Sequence, residues 1–210
     1  AYMEFEVARD GGLFGLFHIS MTGLHNLRNI LGVIAVAHSR GVEAQAIAEG
    51  LSTFSGGKRR QEVRGVVAGV VVIDDFAHHP TAVRATLQAT RDRYPGKRIW
   101  AVFEPRTNTT RRSVFQEEYA RSFDDADRVI LAAVDHPERA PEGQRFSVER
   151  LVADLKGRGK AAELIPAVPE IVTHVAREAG DGDIVLVMSN GAFGGLHDRL
   201  LAALGARGPS

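Results

Sequence analysis

The chain has 210 residues, no cysteine, and 26 basic side chains against 26 acidic ones. This composition excludes disulfides and thiolate metal sites, and the zero net charge argues against nucleic-acid or membrane-surface binding driven by bulk charge. No apolar run is long enough to span a bilayer and the first residues do not read as a signal peptide, so a cytoplasmic protein is expected.

Ala1-Tyr-Met-Glu-Phe-Glu-Val7 alternates in the manner of a half-buried strand with no lead-in. Asp10-Gly11-Gly12 supplies hairpin-turn chemistry, and Leu13–Ile19 reads as the returning strand. A lone hairpin is marginal in water, so the chain is expected to begin within a larger protein. Leu27, Ile30, Leu31 and Ile34 share one face of a helix predicted over 24–40, and Gly41 is a good stop. A shorter helix is predicted over 43–51. The glycine-rich, basic run Ser55-Gly-Gly-Lys-Arg-Arg60 places a domain boundary after residue 54. Its Lys58, Arg59 and Arg60 read either as a phosphate-binding fork or as a solvated linker, and without context the linker is favoured.

Beyond residue 60 the pattern alternates. Strands are predicted over 61–67, 70–74, 98–104, 128–133, 162–165 and 184–188. Helices are predicted over 81–94, 113–122, 147–156, 169–179 and 196–204. Ser147 and Pro169 are start signals, Gly157 and Gly180 stop signals. The alternation predicts an α/β fold whose mostly parallel sheet is covered on both faces, that is, doubly wound. The one long irregular stretch, 134–145, reads as a surface loop.

The most informative segment is Val70-Val-Val-Ile-Asp-Asp-Phe-Ala-His-His-Pro-Thr81. Four apolar β-formers run into two carboxylates, two imidazoles and a proline suited to the first turn of a helix. The strand is expected to end at Ile73 or Asp74, since carboxylates do not belong in a dry ladder. Two further strands end in unusual loops, Glu104-Pro-Arg-Thr-Asn-Thr109 and Ser189-Asn-Gly-Ala-Phe-Gly-Gly195. All three loops fall on the carboxyl edge of the predicted sheet, where open α/β sheets bind ligands. Each has a bland reading of its own: turn former or helix cap for Asp74, Asp75 and His79, surface side chain for Arg106, and ordinary turn for Ser189-Asn190-Gly191. Their shared edge makes a site the better reading. A second cluster, His25-Asn26-Leu27-Arg28-Asn29, puts a histidine and two amides near a helix start, where they could meet a purine edge or simply cap the helix.

Gly23-Leu-His-Asn-Leu-Arg-Asn29, Phe54-Ser-Gly-Gly-Lys-Arg-Arg60 and Asp74-Asp-Phe-Ala-His-His-Pro-Thr81 occur in the order and spacing of the Mur ligases, which the sequence resembles over nearly its whole length. Glu104-Pro-Arg-Thr-Asn-Thr109 and Met188-Ser-Asn-Gly-Ala-Phe-Gly-Gly-Leu-His197 resemble the murein peptide ligase branch. The resemblance implies an ATP-dependent amide ligase of peptidoglycan recycling, joining L-alanyl-γ-D-glutamyl-meso-diaminopimelate (the murein tripeptide) to UDP-N-acetylmuramate through an acyl phosphate. It implies that residues 1–54 are the end of a central ATP-binding domain and 55–210 a Rossmann-like C-terminal domain, with 55–60 as hinge. The protein's own N-terminal and central domains would be partners, supplying the UDP-sugar site, the phosphate-binding loop and the ligands of Mg2+. Without that loop the piece alone is expected to be inactive.

By the same resemblance His25, Asn26, Asn29, Arg60 and Asp75 bind ATP, with Asp75 meeting the ribose. His78, His79, Arg106, Asn108, Thr109, Ser189 and Asn190 bind the amine substrate, and no residue of the chain serves as nucleophile or metal ligand. The branch usually has serine and methionine where Thr107 and Thr110 stand here. The middle motif is also close to that of UDP-N-acetylmuramate–L-alanine ligase, which is the alternative. A metal-dependent phosphoesterase is a rival of another class, because paired histidines beside carboxylates can hold manganese or zinc. A non-catalytic nucleotide-binding module is a third.

Overall fold

A computed structural model describes residues 2–54, 56–107 and 110–207. The chain divides into two compact units, Ala1–Lys58 and Arg59–Ser210. The division falls a few residues beyond the boundary placed from the glycine-rich run, because Arg59 is bonded into the second unit.

In the first unit β1 (Met3–Arg9) and β2 (Gly12–Ile19) pair antiparallel, with Met3 opposite Ile19. The turn residues Asp10 and Gly11 both have positive φ, the geometry whose twist matches a hairpin. Helices α1 (Leu24–Ser39) and α2 (Ala44–Thr53) follow. Phe17 and Ile19 from the hairpin meet Ile30, Ile34, Ile47 and Leu51 in a small core. The apolar stripe of α1 is wider than this core covers: Ile30 and Ile34 are buried, whereas Leu31, Val33 and Val36 are exposed.

The second unit is a six-stranded sheet. Its strands are β3 (Glu62–Val67), β4 (Val70–Asp75), β5 (Ile99–Phe103), β6 (Arg128–Leu131), β7 (Ala161–Leu164) and β8 (Ile184–Met188), in the order β3-β4-β8-β5-β6-β7. Only the edge strand β3 runs antiparallel, joined to β4 by a two-residue turn at Ala68 and Gly69, both with positive φ. A Cβ on Gly69 would fall 1.8 Å from Asp181 Oδ1, so the turn needs glycine on two counts.

Side chains alternate between the faces. Ile73, Phe103, Leu131, Leu186 and Met188 pack under α3 (Pro80–Arg93), α4 (Gln116–Ser122) and α5 (Val148–Gly157). Val72, Trp100, Ile130, Val185 and Val187 pack under α6 (Val168–Glu178) and α7 (Leu196–Gly205). The sheet is therefore doubly wound, as the alternation predicts. The predicted helix over 113–122 starts as a 3-10 turn, Ser113–Phe115. Among the described residues no helix is long and apolar enough to cross a membrane.

Two features place the site. Strand β8 lies between β4 and β5, so the loops after β4, β8 and β5 are neighbours. And β4 does not stop before its acids: Asp74 and Asp75 stay in the ladder opposite Val187 and Met188, both buried. The expected strand end is corrected by the partners each carboxylate finds, described below.

The opposite edge is held by Asp183. Its carboxylate accepts from Arg98 Nε and Nη2, from Trp100 Nε1 at 3.0 Å and from the Gly180 N–H at 2.9 Å. Burial alone would raise this carboxyl; the donors from Arg98, Gly180 and Trp100 outweigh it and hold it below the usual range. A lowered folded value adds stability above the ordinary carboxylate pKa, and that stability is lost as pH falls through the folded value. Asp183→Asn is expected to lower unfolding stability at neutral pH by about 2 kcal/mol. In urea titrations from about pH 6 down to pH 3, the gap between wild type and variant should narrow. A gap that widens on acidification would refute this.

Candidate functional site

Arg59 ties the entry of the second unit to the carboxyl edge of the sheet. Its Nε donates to both Asp74 carboxylate oxygens at 3.2 and 3.3 Å. Its Nη2 donates to the carbonyls of Ser189 at 2.6 Å and Gly191 at 2.7 Å. Its own backbone accepts from Phe76 N–H and donates to Glu62 Oε2. Arg59 and Gln61 both take positive φ, a strained conformation for residues with a Cβ. The strain is held by the Glu62 contact on one side and by Gln61 N–H donating to Asp75 Oδ2 at 2.9 Å on the other.

The two carboxylates of β4 are thereby divided. Asp74 has Arg59 on one side and His197 Nε2 3.3 Å away on the other. Burial opposes its ionisation, but His197 and then Arg59 outweigh burial and lower its pKa. Asp75 turns inward and accepts from Gln61 N–H, Ala77 N–H and Thr86 Oγ1. Burial pushes its carboxyl up, and the backbone donors of Ala77 and Gln61 offset only part of that. Asp75 is 3% exposed, and its oxygens fasten the β4–α3 turn.

The three loops meet. Ser189 N–H donates to the Asp75 carbonyl and Glu104 N–H to the Met188 carbonyl, so ladder-like bonds continue past the strand ends. Ser189 Oγ donates to Glu104 Oε2 and accepts from Gly191 N–H. The Arg106 guanidinium lies against Gly191, where an added Cβ would come within 2.1 Å of Nη1. Arg106 Nε stands 3.6 Å from Asp135 Oδ2, and the side chain is 42% exposed. Asn190 Oδ1 is buried without a hydrogen-bond partner. His78 is half-buried against Phe76; its Nδ1 sits 3.0 Å from the Phe76 carbonyl, and since a carbonyl only accepts, Nδ1 carries the proton.

The other expected site residues make contacts of their own. His79 caps α3, its Nδ1 accepting from Thr81 N–H while its ring packs on Phe115, so the capping alternative is the one the structure takes. Arg60 is exposed above the Phe76 ring. Thr110 is fully buried, its hydroxyl turned to Thr107, and does not face the edge. Asn108 and Thr109 lie outside the described residues. In the first unit Asn26 Nδ2 donates back to the Thr22 carbonyl at 2.8 Å, His25 is half-buried beside it, and Asn29 is exposed one turn on.

Asp74, Asp75, His78 and His79 thus each point to different partners, and among the described residues no three acids or histidines stand together as metal ligands. Sequence reasoning missed Arg59, Glu104, Arg111 and Asp135. For Arg59 the sequence carries a signal: a buried strand with two acids requires a cation, and Lys58-Arg59-Arg60 is the nearest basic run.

The family description "Mur ligase, glutamate ligase domain" matches residues 59–191. The chain belongs to the Mur ligase family. It is 40% identical over 202 residues to UDP-N-acetylmuramate–L-alanyl-gamma-D-glutamyl-meso-2,6-diaminoheptandioate ligase of Escherichia coli K12, covering 96% of this chain and 42% of that protein. It is 36% identical over 185 residues to UDP-N-acetylmuramate–L-alanine ligase of Desulfitobacterium hafniense Y51, covering 88% and 41%. A murein peptide ligase from Psychrobacter arcticus 273-4 superposes with a TM-score of 0.72 at 34% identity, covering 98% and 42%. This Mur ligase chain therefore spans about two-fifths of the length of the curated relatives it matches.

Arg59→Ala is expected to leave Asp74 with His197 alone and two loop carbonyls without a donor, lowering the stability of the second unit by about 3 kcal/mol. Denaturant unfolding followed by Trp100 fluorescence checks this, and a loss below about 1 kcal/mol would show that the clasp is not structural.

Proposed function

We propose that this chain is part of an ATP-dependent ligase that joins the amine of L-alanyl-γ-D-glutamyl-meso-diaminopimelate to the carboxylate of UDP-N-acetylmuramate, and that the carboxyl edge of the second unit receives the peptide. One observation carries the reading: a guanidinium, Arg106, stands part-exposed at the point where three sheet-edge loops meet. A planar fork of this kind grips a carboxylate with two parallel bonds, and the tripeptide presents several carboxylates. Glu104, bonded to Ser189, gives the same edge a negative pole for an ammonium group.

Ser189 and Asn190 directly precede the Gly191 on which Arg106 lies, and His78, Asn108 and Thr109 complete the acceptor set on this reading. Asn29, with His25 and Asn26, is the group suited to an adenine, and Arg60 to a phosphate. ATP with Mg2+ supplies the phosphoryl group that activates the muramate carboxylate as an acyl phosphate. The amine then forms the C–N bond as the C–O bond to phosphate breaks. Such transfer calls on the protein for positioning and charge neutralisation, and this chain's share is to hold the amine substrate in line. The phosphate-binding loop and metal ligands belong, on this reading, to sequence outside the chain, and the setting is cytoplasmic.

The second acceptor to consider is L-alanine, which the Desulfitobacterium relative carries in its name. Phosphate release by the intact enzyme with ATP, UDP-N-acetylmuramate and either acceptor separates the two: turnover is expected with the tripeptide, and turnover with L-alanine alone would overturn the assignment. Arg106→Ala is expected to raise the KM for the tripeptide on the order of 10- to 100-fold, with the KM for ATP nearly unchanged. An unchanged tripeptide KM would remove Arg106 from the acceptor site. Gly191→Ala should keep the fold, since Arg106 is a flexible chain end that can yield, and yet raise the same KM because the guanidinium is displaced. Thermal unfolding alongside the kinetics distinguishes displacement from misfolding.

A further inference from the structure

We infer that Asp135 is a positioning residue for Arg106, which makes the loop after β6 the second wall of the acceptor pocket; the inference rests on the acceptor-site reading above. The loop over 134–145 read from sequence as mere surface, and nothing in the ligase chemistry calls on it. Its first acid is nonetheless the most heavily anchored residue of the region. Asp135 N–H donates to the carbonyl of Pro105, the residue just before Arg106. Its carbonyl accepts from Arg111 Nε at 2.6 Å, and its Oδ2 accepts from Arg111 Nη2 at 3.0 Å. Arg111 is itself buried. Asp135 therefore grips the Arg106 segment on both sides, at residue 105 and at residue 111.

The same Oδ2 faces Arg106 Nε at 3.6 Å, while Oδ1 faces the imidazole of His136 at 3.8 Å. On its other side the guanidinium abuts Gly191 through Nη1. A long, rotamer-rich side chain is thus held between a carboxylate and a bare glycine backbone, with its Nε edge turned to the protein. The remainder of the loop is tied to the same segment: Ser113 N–H donates to the Gln144 carbonyl, Phe146 N–H to the Arg111 carbonyl, and Arg112 bridges to Arg145. The loop is thus tied to the chain at Pro105 and again at Arg111, Arg112 and Ser113. A carboxylate fixed beside a binding arginine lowers the entropy lost when a ligand orders that arginine, which is how preorganisation raises affinity.

A role limited to holding the loop would act whether or not Arg106 is present; a positioning role acts only through it. The test is a double-mutant cycle in the intact enzyme, reading tripeptide KM, ATP KM and kcat for Asp135→Ala, Arg106→Ala and the pair. Asp135→Ala is expected to raise tripeptide KM about tenfold, with ATP KM and kcat changed less than about twofold. In the Arg106→Ala background the same substitution should add less than about twofold. Equal effects in both backgrounds, or no effect of Asp135→Ala on tripeptide KM, would overturn the inference. Where Asp135→Ala fails to fold, Asp135→Asn keeps an oxygen for Arg111 and loses the charge toward Arg106; it should show the same KM rise with thermal stability preserved, and an unchanged KM overturns the inference equally. Should Arg106→Ala itself leave tripeptide KM unaltered, the acceptor-site reading fails; should Arg106→Ala act and Asp135→Ala not, only the present inference fails.

Discussion

One guanidinium fastens the end of β4 to the loop after β8. Arg59 lies at the entry to the sheet domain, yet its side chain ends on the loop after β8, more than a hundred residues on. Between those ends it neutralises Asp74, a carboxylate that burial would otherwise drive out of the strand. An isolated buried charge costs several kcal/mol, and His197 and Arg59 together offset that cost for Asp74. The loop carbonyls are in turn fixed only while that arginine is charged and pointed at them. Removing the cation would unfasten the strand end and the loop together.

Adjacent residues of one strand face opposite ways, and β4 uses this to give two chemically identical side chains different tasks. Asp74 sits on the α7 face, in contact with His197 and Arg59, and is held ionised. Asp75 sits on the α3 face, is raised by burial, and is met only by neutral donors apart from the Coulomb field of Arg60. The first binds distant parts of the chain; the second closes the local turn into α3. Both serve the architecture.

The loops after β4, β5 and β8 are tied to one another by hydrogen bonds beyond the strand ends. Ser189 joins the β8 loop to Glu104 of the β5 loop, and Gly191 gives Arg106 a flat surface to lie on. Asp135 then anchors the β5 loop from the far side through Pro105 and Arg111. An amide ligase needs its amine held in line with little freedom, and rigid placement of charged groups is the means a protein has for that.

Strand and helix periodicity, the turn residues at Asp10-Gly11 and the Ser147 start signal are local properties of the chain, and they sufficed to read the doubly wound architecture. The motif order sufficed to read the Mur ligase family. What local patterns could not supply was any side chain's partner. His79 carries the same imidazole whether it caps a helix or meets a substrate; Asp75 shows the same carboxylate buried or open; Arg59 looks like linker until it is found on Asp74; and Asp135 lies in a segment with no periodicity at all. Composition and spacing determined which elements form and which family they belong to, because those depend on neighbours in sequence. The tertiary structure alone decided which charges meet, because an ion pair or hydrogen bond depends on a separation of a few ångströms between residues that the chain itself holds tens of positions apart.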